Sequence, residues 1–216
     1  MSKQILPWLG VALVVIVSVL GILYLVGRQT GATTAGTPLS VAVSASDWQR
    51  GAASPKVTLV EYGDFQCPAC ASYYPLVHEL ESEFASDLSF VFRHYPLGQH
   101  ANAMPASRAS EAAGKQGKFW EMYDLLYTKQ NEWAEKGDAA EQFSAYAQAI
   151  GLDLARFGAD LANTEAIDQK IADQKKSGDT SQVLGTPTFF VNGKKIANPG
   201  SYAEFKTIIE NARKNP

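Results

Sequence analysis

The only two cysteines of the chain stand three residues apart, in Cys67-Pro68-Ala69-Cys70, at the junction of two different sequence patterns. A β-branched and apolar run precedes them, Val57-Thr58-Leu59-Val60-Glu61-Tyr62, and a helix-like run follows, from Ala71 to about Phe84. Strand, CxxC and helix in that order is the arrangement of a redox-active dithiol. It puts the first sulfur at a helix N-terminus, where unpaired backbone N–H groups and the positive end of the helix dipole favour a thiolate over a thiol. Pro68 suits the first helical position, where its missing N–H costs nothing. The spacing brings both sulfurs to one helix face. Cys67 is then the expected exposed nucleophile, and Cys70, one turn in, the buried resolving thiol. An ordinary thiol, with a pKa near ~8.5, is scarcely ionised at neutral pH; one shifted to roughly 4–7 is half to fully ionised. Such a thiolate is also a good leaving group, which makes its disulfide oxidising.

Three other uses of the pair compete with this one. A structural disulfide across so short a loop constrains the unfolded chain little. A zinc site needs about four ligands, and the chain adds only three scattered histidines, His78, His94 and His100, with no paired spacing. Copper handling by the CxxC and a distant histidine is the third.

The first residues bear on the compartment. Pro7 to Val26 carries no charge over about 20 residues, enough helix to cross a bilayer core of ~30 Å. Trp8 and Tyr24 sit near its ends, at the depth of the interfacial aromatic belts, with Lys3 before it and Arg28 after. A cleaved signal peptide is the alternative, although signal h-regions are usually shorter. Either reading exports the folded part. Residues 28–46 are rich in Gly, Ala, Ser and Thr and read as a flexible tether. The expected division is a membrane anchor over 1–27, a linker over 28–46 and one domain over 47–216. With a net charge of −3 and no basic patch, nucleic acid is not an expected partner.

Within the domain, Val57–Tyr62 is the expected central strand and Leu88 to Arg93 alternates like a second. Pro75 falls inside the helix after the dithiol and predicts a kink. From about 101 to 180 the pattern is helical, about four helices without an intervening strand. Asp138 with Glu141 has the form of a capping box, Gly151 can end that helix, and Asp153 and Thr164 stand as the next N-caps. Strands return at Thr188-Phe189-Phe190-Val191, followed by the hairpin pair Asn192-Gly193 and Lys194-Lys195-Ile196. A last helix is expected from about Ser201 to Ala212.

Two segments, TLVEYGDFQCPAC ending at Cys70 and GTPTFFVNG over Gly185–Gly193, flank the helical block. Together they resemble the DsbA-like branch of the thioredoxin superfamily, the thiol:disulfide oxidoreductases of the cell envelope, over roughly residues 47–213. The resemblance implies the fold class: α/β, a thioredoxin fold with an all-helical insertion, here preceded by an N-terminal transmembrane helix. It implies a cis Pro187 facing the dithiol, with the backbone of Thr186 free to pair with a substrate and Pro68 and Ala69 at the substrate's side. It also implies that Glu61, six residues before Cys67, is a buried acid that relays a proton to or from Cys70. Its ordinary alternative is a strand-end glutamate paired with lysine or facing water.

The implied activity is oxidation of exported protein thiols on the extracytoplasmic side of the cell membrane. The dithiol needs no metal or organic cofactor, and a quinone-linked membrane oxidase restores the disulfide. A reductase or isomerase with the same site is the alternative, as is a non-catalytic metal-handling module. Two departures matter here. Ala69 stands where strongly oxidising members carry histidine, and Thr186 where the prototype carries valine. His94 and His100 are expected in surface or loop roles. Trp120, Tyr123, Tyr127 and Trp133 are expected in the core, and Phe65 and Gln66 on the rim beside Cys67.

Overall fold

The computed structural model describes residues 36–215. The anchor expected over 1–27 lies outside the described residues; within them, no helix is long and apolar enough to cross a membrane.

Five strands form one sheet in the order β1-β3-β2-β4-β5. They are β1 (Trp48–Gly51), β2 (Val57–Gly63), β3 (Leu88–His94), β4 (Thr188–Val191) and β5 (Lys194–Lys195). The helix after the dithiol, α1 (Pro68–Glu83), contains Pro75 and is the crossover that lets β2 and β3 run parallel. β4 pairs antiparallel with β2, Glu61 opposite Phe189. The hairpin turn has Asn192 at φ 47 and Gly193 at φ 74, the left-handed pair that a two-residue turn requires.

β2 reads as a continuous run rather than an alternating one because both of its faces are covered. On one face Val57 and Leu59 join the main core with Phe90, Phe92 and the helical block. On the other Val60 and Tyr62 join a smaller core with Val91, Tyr95, Val183 and Phe190.

The helical insertion comprises α2 (Ala103–Gly114), α3 (Phe119–Thr128), α4 (Gln130–Trp133), α5 (Ala140–Ala149), α6 (Leu154–Ala162) and α7 (Glu165–Thr180). These are six helices where about four were expected. The single-turn α4 and the break at Lys129 before it carry no Gly or Pro that would announce them, whereas Gly114 and Gly117 mark the break between α2 and α3. Asp138 accepts from the Ala140 N–H at 2.9 Å, but the N-cap of α5 is Ala139 without a side-chain cap, so the expected box with Glu141 does not form; Gly151 closes α5 at φ 77, and Asp153 caps α6 through the Arg156 N–H at 3.0 Å. Thr164 precedes α7, but its hydroxyl donates to Asp168 instead of capping. Trp133, Tyr123 and Tyr127 are buried in the core as expected, and Trp120 packs partly buried against it. The chain ends in α8 (Tyr202–Lys214), capped by Ser201.

Two features depart from the sequence reading. The expected tether over 28–46 is not free over its described part. Leu39 and Val43 pack on the smaller core, Ser40 bonds Ser181 and the Ser177 carbonyl, and the Val41 and Ala42 carbonyls accept from buried Arg93. Leu39 and Val43 were the signal, hidden by the small residues around them, while Val41 between them faces solvent.

β1 was not expected at all. It is held by long-range contacts: Trp48 stacks on Phe119 at 4.4 Å, and Arg50 pairs with Glu81 and Asp124. Gly51, at the end of β1, has φ 105, and a Cβ there would meet the Leu88 carbonyl oxygen at 2.4 Å. Gly51→Ala is therefore expected to destabilise the domain by about 2 kcal/mol or more. An unchanged urea midpoint would show that β1 can shift to admit the methyl.

Candidate active site

Cys67 is the N-cap residue of α1, extended at φ −68 and ψ 121, with Pro68 at the first helical position. Its N–H donates to the Asp64 carbonyl at 3.1 Å, and its own carbonyl accepts from Ala71 at 3.2 Å. It is the more accessible of the two cysteines, yet only 6 % exposed against 0 % for Cys70. The expected exposed nucleophile is thus an edge in the surface, with Pro68 and Ala69 exposed beside it. Both cysteines are free thiols here. The Thr186–Pro187 peptide bond is cis, and the Cys67 thiol donates to the Thr186 carbonyl at 3.3 Å. Cys67, Cys70, Thr186 and Pro187 therefore meet at one point, brought there by the end of β2, the start of α1 and the start of β4.

The two thiols are driven apart in acidity. Hydrogen bonding from the Cys70 thiol is the largest influence lowering Cys67, joined by Thr186 and by the N–H groups of Ala69 and Cys70. Burial opposes them, and the thiol comes down to about 5. The buried Thr186 hydroxyl has no other hydrogen-bond partner among the described residues and is one of the groups that pull the Cys67 thiol down. Burial pushes Cys70 well above an ordinary thiol, and its bond to Cys67 and the nearby Glu61 push the same way. At neutral pH the site therefore holds one thiolate and one thiol.

Beneath the dithiol, Glu61 is 1 % exposed. Burial, and then the negative charges of Cys67 and Glu81, push its carboxyl up to about 8 against the pull of Arg50. It is neither at a strand end in water nor paired with a lysine. Arg50 reaches this region from β1, with both Glu81 oxygens within 2.8 Å and Asp124 at 3.1 Å, and its guanidinium lies 4.4 Å from the Trp120 ring centroid. Nothing in the local sequence marked Arg50 as part of this surrounding.

The loop before Cys67 is fastened to the helical insertion. Gln130, on α4, donates to the Phe65 carbonyl at 2.7 Å and the Cys67 carbonyl at 3.1 Å. Gln66 donates to the Ala134 carbonyl and accepts from the Asn102 N–H, both at 2.6 Å. The Asp64 carboxylate accepts from Gln66 N–H at 2.7 Å, Leu97 N–H at 2.9 Å and His100 Nδ1 at 2.7 Å. Sequence reasoning missed Asp64, Asn102 and Gln130.

Two expectations are corrected here. Phe65 does not shape the rim but is wholly buried, 5.0 Å from Phe92 and 5.1 Å from Tyr127 between ring centroids. His94 is not a surface residue: it is wholly buried and bonded to Glu111 at 3.0 Å. His100 sits partly exposed in a loop, as expected, and there holds the dithiol loop through Asp64. Among the described residues no three His, Cys, Asp or Glu side chains cluster closely enough to hold a metal ion.

A family model described as thioredoxin matches residues 44–211. Among solved structures, BdbD from Bacillus subtilis is similar at a TM-score of 0.72 and 23 % identity, over 84 % of this chain and 98 % of that one. Alpha-DsbA1 from Wolbachia pipientis is similar at 0.72 and 17 %, over 81 % and 94 %. Among curated proteins, 157 residues are 44 % identical to part of the Na(+)/H(+) antiporter NhaA 1 of Salinispora arenicola, covering 72 % of this chain and 23 % of that protein. The antiporter of the same name from Mycolicibacterium gilvum is 37 % identical over 77 % and 27 %. The chain thus spans about a quarter of the length of the curated relatives it matches. With a dithiol at the N-terminus of α1, a cis proline against it and a helical block set between β3 and β4, the chain belongs to the thioredoxin family and has that fold in its DsbA-like form.

Proposed function

We propose that this protein is an extracytoplasmic thiol:disulfide oxidoreductase that oxidises the thiols of exported proteins, working at a cell membrane from an anchor over residues 1–27. The observation that carries the reading is the Cys67 sulfur at the N-terminus of α1, 3.3 Å from the Thr186 carbonyl and beside wholly buried Cys70, an arrangement that pulls its thiol down. A stabilised thiolate favours the reduced protein, and therefore makes its disulfide an oxidant.

In the forward reaction a substrate thiolate attacks Cys67 Sγ of the Cys67–Cys70 disulfide. The bond between the two cysteines breaks, a mixed disulfide forms at Cys67, and Cys70 leaves as a thiolate. Glu61, whose carboxyl burial pushes up, supplies the proton that Cys70 takes up. A second substrate thiolate then attacks the substrate sulfur and releases Cys67 as a thiolate. Two electrons pass to the protein; of the two substrate protons one replaces the proton that Glu61 gave to Cys70 and the other enters solvent. Once Cys67 no longer donates its S–H, the Thr186 carbonyl is open to a backbone N–H of the substrate, across from Pro68 and Ala69. The dithiol carries the electrons without another cofactor. A quinone-linked membrane oxidase, as the DsbA-like resemblance implies, takes them up. Support for the membrane placement comes from Pro7–Val26 and from relatives that are antiporters.

The reduction potential of the Cys67–Cys70 pair, from equilibration with glutathione, tests the direction. A potential between about −120 and −180 mV is expected of an oxidase or isomerase, whereas one near about −270 mV would make the protein a reductase. Above pH 5 only one proton accompanies the two electrons, so the potential should fall by about 30 mV per pH unit, not about 59 mV.

A further inference from the structure

The Pro187 carbonyl lies one residue outside the sheet. The pairing of β2 with β4 runs only as far as Tyr62 and Thr188, so the ladder offers this carbonyl no donor. Its donor comes from elsewhere: the side-chain amide of Asn198 reaches it at 2.8 Å. Asn198 is exposed and stands in the stretch between β5 and α8, where neither the core nor the exchange chemistry calls for it.

The stretch that carries Asn198 is fixed from two sides. Pro199 beside it is buried, and its carbonyl accepts from the Tyr73 hydroxyl at 2.7 Å. Tyr73 is on α1, one turn and a half beyond Cys67, and its ring centroid lies 5.3 Å from that of Phe189 on β4. On the other side the Gly200 N–H donates to the Glu204 carboxylate at 2.8 Å, and the Ser201 hydroxyl accepts from the Glu204 N–H at 3.3 Å. These bonds fix the chain where it enters α8. A run of short contacts thus leads from α1 through Tyr73, Pro199 and Asn198 to the Pro187 carbonyl. Its two ends carry the two halves of the site. α1 holds Cys67 at its N-terminus, and Thr186, the residue before Pro187, places its carbonyl 3.3 Å from the Cys67 sulfur.

We propose that Asn198 is a positioning residue: with Tyr73 it braces the Thr186–Pro187 segment against α1 and keeps Thr186 within reach of the Cys67 sulfur. The proposal rests on the thiol-oxidising reading above and adds to that site a residue that acts through Thr186. A peptide unit is planar, so holding one carbonyl limits the rotation of the units joined to it. Only a donor can face a carbonyl oxygen, and the amide of asparagine supplies one on a short side chain. Because Asn198 is exposed, water can take over the bond when the amide is lost. The fold then loses little, while the segment beside Cys67 gains freedom. That freedom is read at the sulfur, since Thr186 is among the groups that pull the Cys67 thiol down. The other titratable groups that face Cys67 are Cys70 on α1 and Glu61 on β2, and changes at 198 or 73 alter neither.

The test is the ultraviolet titration of the Cys67 thiolate in the reduced full chain, for the wild type, Asn198→Ala, Tyr73→Phe and the double variant, with urea midpoints measured alongside. Asn198→Ala should raise the titration midpoint by roughly half a pH unit, about threefold in the acidity constant, with a urea midpoint close to that of the wild type. Tyr73→Phe keeps the ring against Phe189 and loses only the hydroxyl, and it should move the titration in the same direction. Both residues belong to one brace, so the double variant should move no farther than the larger single shift. A titration unmoved by Asn198→Ala, or a double shift equal to the sum of the single ones, would overturn the proposal. If Asn198→Ala does not fold, Tyr73→Phe decides alone, because an unmoved titration there breaks the brace. Shifts as expected in a dithiol that exchanges with neither glutathione nor a protein thiol would overturn the oxidoreductase reading and leave the brace standing.

Discussion

Replacing Cys70 is expected to stop repeated turnover and to leave Cys67 locked in mixed disulfides. Cys70 is wholly buried one helical turn behind Cys67, so an incoming substrate chain cannot substitute for it from the same direction. In the native protein Cys70 can attack the mixed disulfide from within and release a stalled substrate. Without it, an adduct whose substrate has no second thiol in reach is released only by an external thiol, and its lifetime should lengthen to the minutes or hours of uncatalysed disulfide exchange. Two substitutions separate this role from the second one Cys70 has. Its thiol donates to the Cys67 thiolate and is the largest influence holding Cys67 at about 5. A serine keeps a donor at that place and an alanine does not. Both variants should accumulate mixed disulfides, visible on non-reducing gels. Only Cys70→Ala should raise the pH at which the ultraviolet absorbance of the Cys67 thiolate appears. If the alanine variant titrates where the wild-type protein does, the low pKa belongs to the helix N-terminus and Thr186, and the Cys70 thiol contributes nothing to it.

The parts of this fold that were legible from sequence are those whose cause is local. Val57–Tyr62 had to be a strand because it is β-branched and apolar throughout, and Asn192-Gly193 had to be a turn because few other pairs accept two left-handed residues. Glu61 stood out as an acid inside such a run, and β2 does carry it into the interior. What was not legible depends on distant partners. Gln130 looks like any surface helix residue, and its two acceptors lie more than sixty residues earlier in the chain. His94 was read as a loop histidine because it follows a strand, whereas Glu111 on α2 makes a buried place for it. β1 has only four residues, one of them arginine, and its pairing with β3 is supported by Trp48 lying against Phe119. The helical insertion thus supplies both the cover of the sheet and the anchors of the dithiol loop. That dual use is why misreading its side chains also meant missing part of the site.

The same buried acid gives the second large effect, one of stability. The Glu61 carboxyl is up at about 8 in the folded protein against 4.5 as its ordinary value. Below pH 4.5 folded and unfolded chains both hold this proton and no penalty arises. Between 4.5 and 8 the unfolded chain releases it while the folded chain keeps it, so Glu61 lowers stability by about 1.4 kcal/mol per pH unit, and above 8 the loss stops growing. Cys67 has the opposite sign. Its thiol is down at about 5 from 9.0, so its contribution is full above 9 and is lost as the pH falls through 5. In the reduced protein the two slopes oppose each other between pH 5 and 8, and the wild-type curve should be nearly flat there. Glu61→Gln removes one of them, because glutamine is neutral at every pH. The reduced variant should then gain stability steadily as the pH rises from 5 to 8, by roughly 2–4 kcal/mol, the lower figure allowing for solvent screening of the thiolate at the mouth of the site. Urea unfolding at four pH values, under a reductant that does not form mixed disulfides, measures the difference directly. Parallel curves for the two proteins would mean that Glu61 ionises like an ordinary carboxylate, and it would then have no proton to give Cys70 at neutral pH. A rising curve for the variant alone would place on Glu61 both the stability cost and the proton that the exchange reaction uses.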